Sequence, residues 1–368
     1  MISNQSQKGG DSSTNIQAQQ LVMNVGIDEK RAREIYQEMN LQLRRDYSQE
    51  ALEIAKSRVE EFENRLMPKM AEVEGALGAF ADPGFQLLLT EAQKTAASTE
   101  RPADYDLLSE LLIHRFKSGE NRVTRAGISR AVEILDEVSD EALLALTVVH
   151  AVGNFIPLSG IFDDGLNVLN NLFGSILYGE LPSTHDWIDH LDVLDAVRVN
   201  PVGGLKKIGE YYPEALHGYV DVGIKKNSDA HRRALEIING GKFVVSPLID
   251  HHFNDEYLRV PVSSRNGIKS LSFNISYPYE GSVVRSVIGL SDDQIKDIHS
   301  IYDLYEVDGS VLRENINLFM TEWAKRENLK KVGEWWDSIS IGFSLTSVGK
   351  VLAHSNAQRC DKSLPPIA

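Results

Sequence analysis

The sequence predicts a mainly α-helical protein, with an N-terminal β-strand, a helical bundle domain and an irregular α+β C-terminal region. From Glu29 onward, apolar residues recur every three or four positions, and the connections between such stretches are short. After residue 155, helical periods alternate with short β-like runs. We therefore divide the chain into four segments: a flexible tail and oligomerisation strand (1–26), an all-helical domain (27–155), an irregular α+β middle region (156–281) and a helical C-terminal module (282–368).

Composition and charge argue against several functional classes for this protein. Of 368 residues, 42% are hydrophobic, which is enough for real cores, and the net charge of -15 argues against general binding to nucleic acid or anionic lipid. Cys360 is the one cysteine, which fits a reducing cytoplasm. Aspartates and asparagines interrupt the most apolar window, residues 155–179, so we expect buried core rather than a membrane span. No cofactor is predicted.

The segment Asn15–Val25 is predicted to be a strand that joins protomers. Its apolar residues fall on both parities, so both faces need cover that a lone strand lacks. Equivalent strands of other protomers would supply that cover and produce a homo-oligomer. The alternative is addition of this strand to the protein's own C-terminal sheet. The candidate oligomerisation residues are Ile16, Ala18, Leu21, Val22, Met23 and Val25.

Capping residues and apolar stripes predict the helices of residues 27–155. Asp28 is a good N-cap, and Pro68 is expected to start a new helix. A further helix is expected from Phe85 to about Ser98, followed by the strongly apolar "DLLSELLIHRF". The segments "TRAGISRAVEILDEV" and "DEALLALTVVHAV" are expected to form an antiparallel pair joined by a cap at Ser139.

The second half of the sequence combines helix-like and strand-like spacing of apolar residues. Helices are predicted for "THDWIDHLDVLDAV", "AHRRALEIING", "SDDQIKDIHSIYDLY" and, as one long helix, "VLRENINLFMTEWAKRENLKKVGEWWDSI". Short strands are predicted for "KFVVSPLID", "YLRVPVSS" and "SLSFNISY". The end, "FSLTSVGK", is similar to a winged-helix wing that leads into a closing helix. Lys330, Lys331, Trp335 and Trp336 precede it and suit contact with nucleic acid, although a core corner with two buried tryptophans is favoured.

Two clusters have the residue types of metal ligands. Asp250, His251 and His252 reproduce the Asp-His-His triplet of the phosphoesterases known by that name, but the upstream Asp-x-Asp motif of those enzymes is absent. His185 and His190 flank a helix start, without the zincin spacing. A polar loop and a helix cap explain the two clusters without a metal. The other histidines are expected to be surface or hydrogen-bonded core residues.

Three segments together resemble a known family. They are "GGDSSTNIQAQQLVMNVGIDEKRAREI", the stretch from "DPGFQLLLTEAQ" to "DEALLAL", and "FSLTSVGKVLAHSNAQR". The combination resembles an uncharacterised bacterial family named after its Legionella and Veillonella members. Its layout is more loosely similar to the abortive-infection alpha family. That resemblance implies a role in phage defence or in a genomic island that carries it, and no known chemistry.

The leading functional hypothesis is a non-enzymatic, oligomeric bacterial protein that acts in phage defence through protein–protein interaction. One alternative is a metal-dependent hydrolase with ligands among His185, His190, Asp250, His251 and His252. Another is a nucleic-acid-binding regulator that uses the C-terminal module.

Overall fold

The computed structural model describes residues 27–43, 49–119, 121–200, 202–279, 282–365 and 367. The predicted strand with its oligomerisation residues, 16–25, lies outside this part of the chain. The described part is mainly helical, as expected, with a few short antiparallel strands in its C-terminal half. Its helices are α1 (Glu29–Leu43), α2 (Gln49–Glu72), α3 (Pro83–Ser98), α4 (Pro102–Lys117), α5 (Arg122–Ile134), α6 (Asp140–Asn154), α7 (Phe162–Ile176), α8 (Asp186–Val193), α9 (Ile208–Ala215), α10 (His217–Val220), α11 (Asp229–Gly240), α12 (Asp292–Tyr302), α13 (Gly309–Ala324), α14 (Glu327–Ser338) and α15 (Ser347–Cys360).

The strands of the described residues form three small antiparallel sheets. Strands β1 (Val197–Asn200) and β7 (Gly342–Leu345) form one pair. In a second sheet, β4 (Tyr257–Arg259) lies between β2 (Ile224–Lys225) and β3 (Ile249–Asp250). A hairpin of β5 (Ser272–Tyr279) and β6 (Ser282–Gly289) is the third. The predicted strand "KFVVSPLID" is thus limited to its last two residues, and β6 was not predicted.

Local capping explains most helix starts. The Asp28 carboxylate accepts from the amide of Arg31 at 2.8 Å, and the Ser139 hydroxyl accepts from Ala142 at 3.2 Å at the start of α6. The helix start expected at Pro68 is wrong, because α2 continues through this residue to Glu72. Leu66, Met67 and Met70 around Pro68 are fully buried, and α2 packs along α3 and α4, so tertiary packing offsets the hydrogen bond that proline removes.

The main hydrophobic core is closed by the last helix. Helix α15 packs against α4, α5 and α6, and its buried residues lie all around its axis. It starts at Thr346, whose hydroxyl accepts from the Gly349 amide and donates to the carbonyl of Ala196. This first core cluster contains residues from Ala32 to Ala357, so the predicted segments 27–155, 156–281 and 282–368 all contribute to it. The division into domains stays a prediction.

A smaller second core combines residues of the middle region with residues of α12. It is formed by residues between Ile224 and Tyr302, including Val260, Val262 and Ile298. Among the described residues, no helix is long and apolar enough to cross a membrane. The expected long helix over residues 311–339 is wrong, since α13 ends at Ala324 and α14 begins at Glu327.

Candidate interaction site

An exposed apolar loop connects α6 to α7. Leu158 is 82% exposed, and Ile156 and Ile161 are also exposed although they belong to the apolar sequence "FIPLSGI". Val168 lies on α7 seven residues after Ile161, on the same helix face, and is exposed as well. We call these four exposed apolar side chains, in the loop and on the first half of α7, the 156–168 surface.

A buried arginine holds the backbone of this loop. Arg259 is 1% exposed, and its guanidinium donates to the carbonyls of Gly160 at 2.6 Å and Gly218 at 3.1 Å. It also lies 5.6 Å from the centre of the Tyr219 ring, and Tyr219 donates its hydroxyl to the Ser159 carbonyl. Burial lowers the pKa of Arg259, and Tyr305 and Tyr219 oppose this shift. Because the guanidinium group presents its N–H donors in a fixed fork, one arginine can hydrogen-bond to several backbone segments at once.

Close backbone approaches fix the loop further. A Cβ at Gly160 would lie 1.6 Å from the carbonyl oxygen of Pro261, and one at Gly165 would lie 2.0 Å from the Tyr219 hydroxyl. Only glycine permits these contacts. The loop backbone is therefore held in place while the side chains of Ile156, Leu158 and Ile161 are exposed.

Charged and aromatic groups lie beside the 156–168 surface. The His252 ring packs on Phe162 with ring centres 4.3 Å apart, and its Nδ1 is 3.9 Å from Asp163. Arg326 donates to Asp163 at 3.0 Å and to Asn167 at 3.0 Å. An apolar centre with a polar rim is the usual composition of an interaction surface.

A cavity of about 350 Å³ lies at the start of the same loop. It is bounded by the end of α6, the start of α5, helix α15 and the C-terminal residues Pro365 and Ile367. Phe155 lines it, and its ring centre is 5.6 Å from that of His150 and 5.7 Å from that of His354. Lys350 lies on its wall.

A chain of hydrogen bonds through two histidines crosses this cavity wall. The Pro365 carbonyl can only accept, so His354 donates to it from Nε2 at 2.9 Å and its Nδ1 is an acceptor. His150 Nε2 therefore donates to His354 Nδ1 at 3.1 Å, and Asn154 donates to His150 Nδ1 at 3.2 Å. Burial lowers the pKa of both histidines to about 4, so both rings are neutral at pH 7. The chain of bonds needs both rings neutral.

A third histidine lies beside this pair. The His114 ring centre is 5.7 Å from that of His354, while its Nε2 contacts the Gln358 amide oxygen at 2.6 Å and its Nδ1 contacts the Ser355 hydroxyl at 2.9 Å. Burial lowers the pKa of His114. Each of these histidines is thus a hydrogen-bonded core residue that fixes α15 in place.

The structure places the candidate metal ligands in different surroundings. His185 Nε2 accepts from the Ser340 amide and His190 Nε2 accepts from the Ser139 amide, each at 3.3 Å. Both imidazoles thus hold backbone amides.

The residues of the Asp250-His251-His252 triplet also have separate partners. Asp250 pairs with Lys226 at 2.7 Å. His251 is buried and donates from Nε2 to the Asp221 carbonyl at 3.0 Å, and burial lowers its pKa to about 4. Among the described residues, no group of three or more histidine, cysteine or acidic side chains is arranged to hold a metal ion.

The two tryptophans proposed for nucleic-acid contact are core residues. Trp335 and Trp336 are buried, and their indole nitrogens donate to the carbonyls of Pro182 at 3.0 Å and Lys206 at 2.8 Å. This is the core corner that the sequence favoured. Lys330 lies 3.8 Å from Glu334 on the outer face of α14.

Sequence reasoning missed both the exposed loop and the histidine chain. The apolar run "FIPLSGI" predicts burial, although Pro157, Ser159 and Gly160 are residues typical of a turn. His114, His150 and His354 are far apart in sequence, and no local pattern indicates that they meet.

The fold and the site define a mainly helical protein that presents a rigidly held apolar surface. A family model matches residues 26–364, and the chain belongs to that family, an uncharacterised family named after Veillonella parvula. The match begins after the Gly-Asp-Ser-Ser-Thr opening, so this opening as a signature, and the link to Legionella members, stay predictions. No curated protein and no solved structure matches the chain.

Proposed function

We propose that the protein is a non-enzymatic cytoplasmic bacterial protein that forms a homo-oligomer through residues 16–25 and contacts a protein partner in phage defence. The observation that supports a partner is the 156–168 surface. Its side chains are exposed and apolar, while Arg259 and Gly160 hold its backbone in one conformation. A rigid apolar surface loses little conformational entropy on binding, which favours association.

The charge of the chain agrees with protein partners. At a net charge of -15, contact with phosphate backbones is unfavourable unless a local basic patch is present. Apolar contacts do not depend on that charge. The resemblance to abortive-infection proteins is the reason for proposing phage defence.

Deletion of residues 1–26 tests the oligomer. The first described residue, Ile27, packs against the main core, and the deletion keeps this residue and all other described ones. We expect the truncated protein to keep its circular dichroism spectrum and to show a lower native mass in light scattering. An unchanged mass would remove self-assembly from the proposal.

Substitution of Leu158 by Asp tests the partner surface. Because Leu158 is 82% exposed, the variant is expected to fold with a wild-type melting temperature. In bacteria that express the protein, we expect this variant to lose protection against phage, while Val307→Asp, which adds the same charge at a fully exposed position, keeps it. Full protection by Leu158→Asp would contradict the assignment of this surface.

The other functions remain predictions with their own tests. Stoichiometric manganese or zinc in the purified protein would favour a hydrolase with ligands among His185, His190, Asp250, His251 and His252. Salt-dependent retention on DNA would favour a nucleic-acid-binding regulator.

A further inference from the structure

The β5–β6 hairpin extends from the second core without joining it. Leu271 and Leu290, which flank the hairpin, pack against that core. Among the side chains described within residues 272–289, none is buried. Val287 is 66% exposed, and its neighbour Ile288 is exposed too.

No other described helix or strand makes extensive contact with this hairpin. A two-stranded hairpin is at best marginally stable in water unless a third strand or another element covers it. Its register pairs Phe273 with Ile288 and Tyr277 with Val284, so apolar residue types recur opposite one another. A third strand would increase the buried apolar area and satisfy one free edge.

The two edges of the hairpin are not equally open. Strand β5 contains Pro278, a residue that natural proteins use to block pairing at an edge. Strand β6 has the sequence "SVVRSVIG", which is rich in β-branched residues and contains no proline or lysine. Within the part of the chain that the structure describes, β5 is the one strand paired with β6, so the other edge of β6 is the side on which a further strand can pair.

Charge indicates which strand could pair there. On a chain with a net charge of -15, two copies repel each other over most of their surfaces. The segment Asn15–Val25 has no charged residue, and β6 contains only Arg285. Like β6, the segment contains β-branched residues, here Ile16, Val22 and Val25, and no proline. It is long enough to cover all eight residues of β6.

We infer that the free edge of β6 is the acceptor for residues 15–25 of a second copy of the chain. The added strand extends the hairpin to three strands and forms main-chain hydrogen bonds along β6. Since each copy carries one donor segment and one acceptor edge, the contact is heterologous and produces rings or open chains. This inference rests on the proposed self-assembly and names its contact.

Light scattering on three variants separates the two proposals. Val287→Lys adds a charge at the β6 edge, and Val307→Lys adds the same charge at a fully exposed site outside the hairpin. We expect Val287→Lys to lower the native mass as deletion of residues 1–26 does, and Val307→Lys to leave it unchanged.

If only the deletion lowers the native mass, self-assembly is supported and β6 is not the acceptor. If neither does, both proposals fail. If only Val287→Lys does, two hairpins pair with each other and the inference is overturned.

Cross-linking identifies the copy that supplies the strand. In a Cys360→Ser background, we mix a Val22→Cys protein with a Val287→Cys protein and add a short bismaleimide linker. A cross-linked dimer that contains both proteins is expected, and Val22→Cys mixed with Val307→Cys should give none. An internal cross-link in the Val22→Cys/Val287→Cys double variant, without mixed dimers, would show that the strand folds back on its own chain and would overturn the inference.

Discussion

Lowering the pH from about 7.5 to about 5 is expected to weaken the fold through His150 and His354. Both rings are buried, and burial holds the pKa of each at about 4, below the ordinary 6.5. Between these two values the unfolded chain binds protons that the folded chain does not. Stability contributed by the neutral rings is therefore present at neutral pH and falls as the pH drops below about 6.5.

The size of this effect follows from the two pKa values. At about pH 5, each histidine favours unfolding by about 2 kcal/mol relative to pH 7.5. The hydrogen bond between the two rings couples them, so the two contributions are not independent. Substitution of one ring by glutamine should remove about 2 kcal/mol of the pH dependence of the unfolding free energy.

Urea denaturation at the two pH values measures this difference. The wild type, His150→Gln and His354→Gln are compared with His299→Gln, which changes a half-exposed histidine outside the network. We expect His299→Gln to keep the wild-type difference between the two pH values. Equal pH dependence in all four proteins would refute the argument that burial keeps His150 and His354 neutral.

Two further predictions concern the support of the 156–168 surface. Arg259→Lys keeps the charge but loses the fork that reaches the Gly160 and Gly218 carbonyls, and should lower the unfolding free energy by about 2–3 kcal/mol, whereas Arg232→Lys at an exposed ion pair should change it by less than about 0.5 kcal/mol. Equal effects of the two substitutions in chemical denaturation would contradict this. Gly160→Ala places a methyl group against the Pro261 carbonyl and should cost at least about 3 kcal/mol. Gly153→Ala on the open face of α6 should be neutral or stabilise by about 0.5–1 kcal/mol, and a mild effect at Gly160 would show that the two segments separate easily.

Local patterns were sufficient to predict the helices that are fixed by their own caps and stripes. Ser139 and Asp28 cap α6 and α1 as expected, and α12 begins at Ser291 with a complete capping box. These features lie within a few residues of each other, so the sequence alone contains the information.

The break between α13 and α14 shows what local patterns miss. The residues around Arg326 are good helix formers, and nothing in them predicts an end. Arg326 instead donates to Asp163 and Asn167, and the amide of Asn328 donates to Asn170 at 3.2 Å. These partners lie on α7, about 160 residues earlier in the sequence. The local sequence around Arg326 therefore does not reveal them.

The candidate site was missed for the same reason. The exposure of Leu158 depends on Arg259, which lies about 100 residues further along the chain and carries no sign of its role in the sequence. Whether an apolar run is exposed depends on which residues form hydrogen bonds to its backbone. Here that residue is Arg259, which belongs to β4.

Because α15 comes late in the sequence, the packing around α4, α5 and α6 is completed late in synthesis. Helices α4, α5 and α6 are synthesised early, yet the helix that fills the space between them comes from residues 347–360. Until those residues leave the ribosome, the early helices have an open apolar seam that is accessible to chaperones and proteases. A chain that stops before residue 347 would therefore lack the packing that α15 provides to α4, α5 and α6.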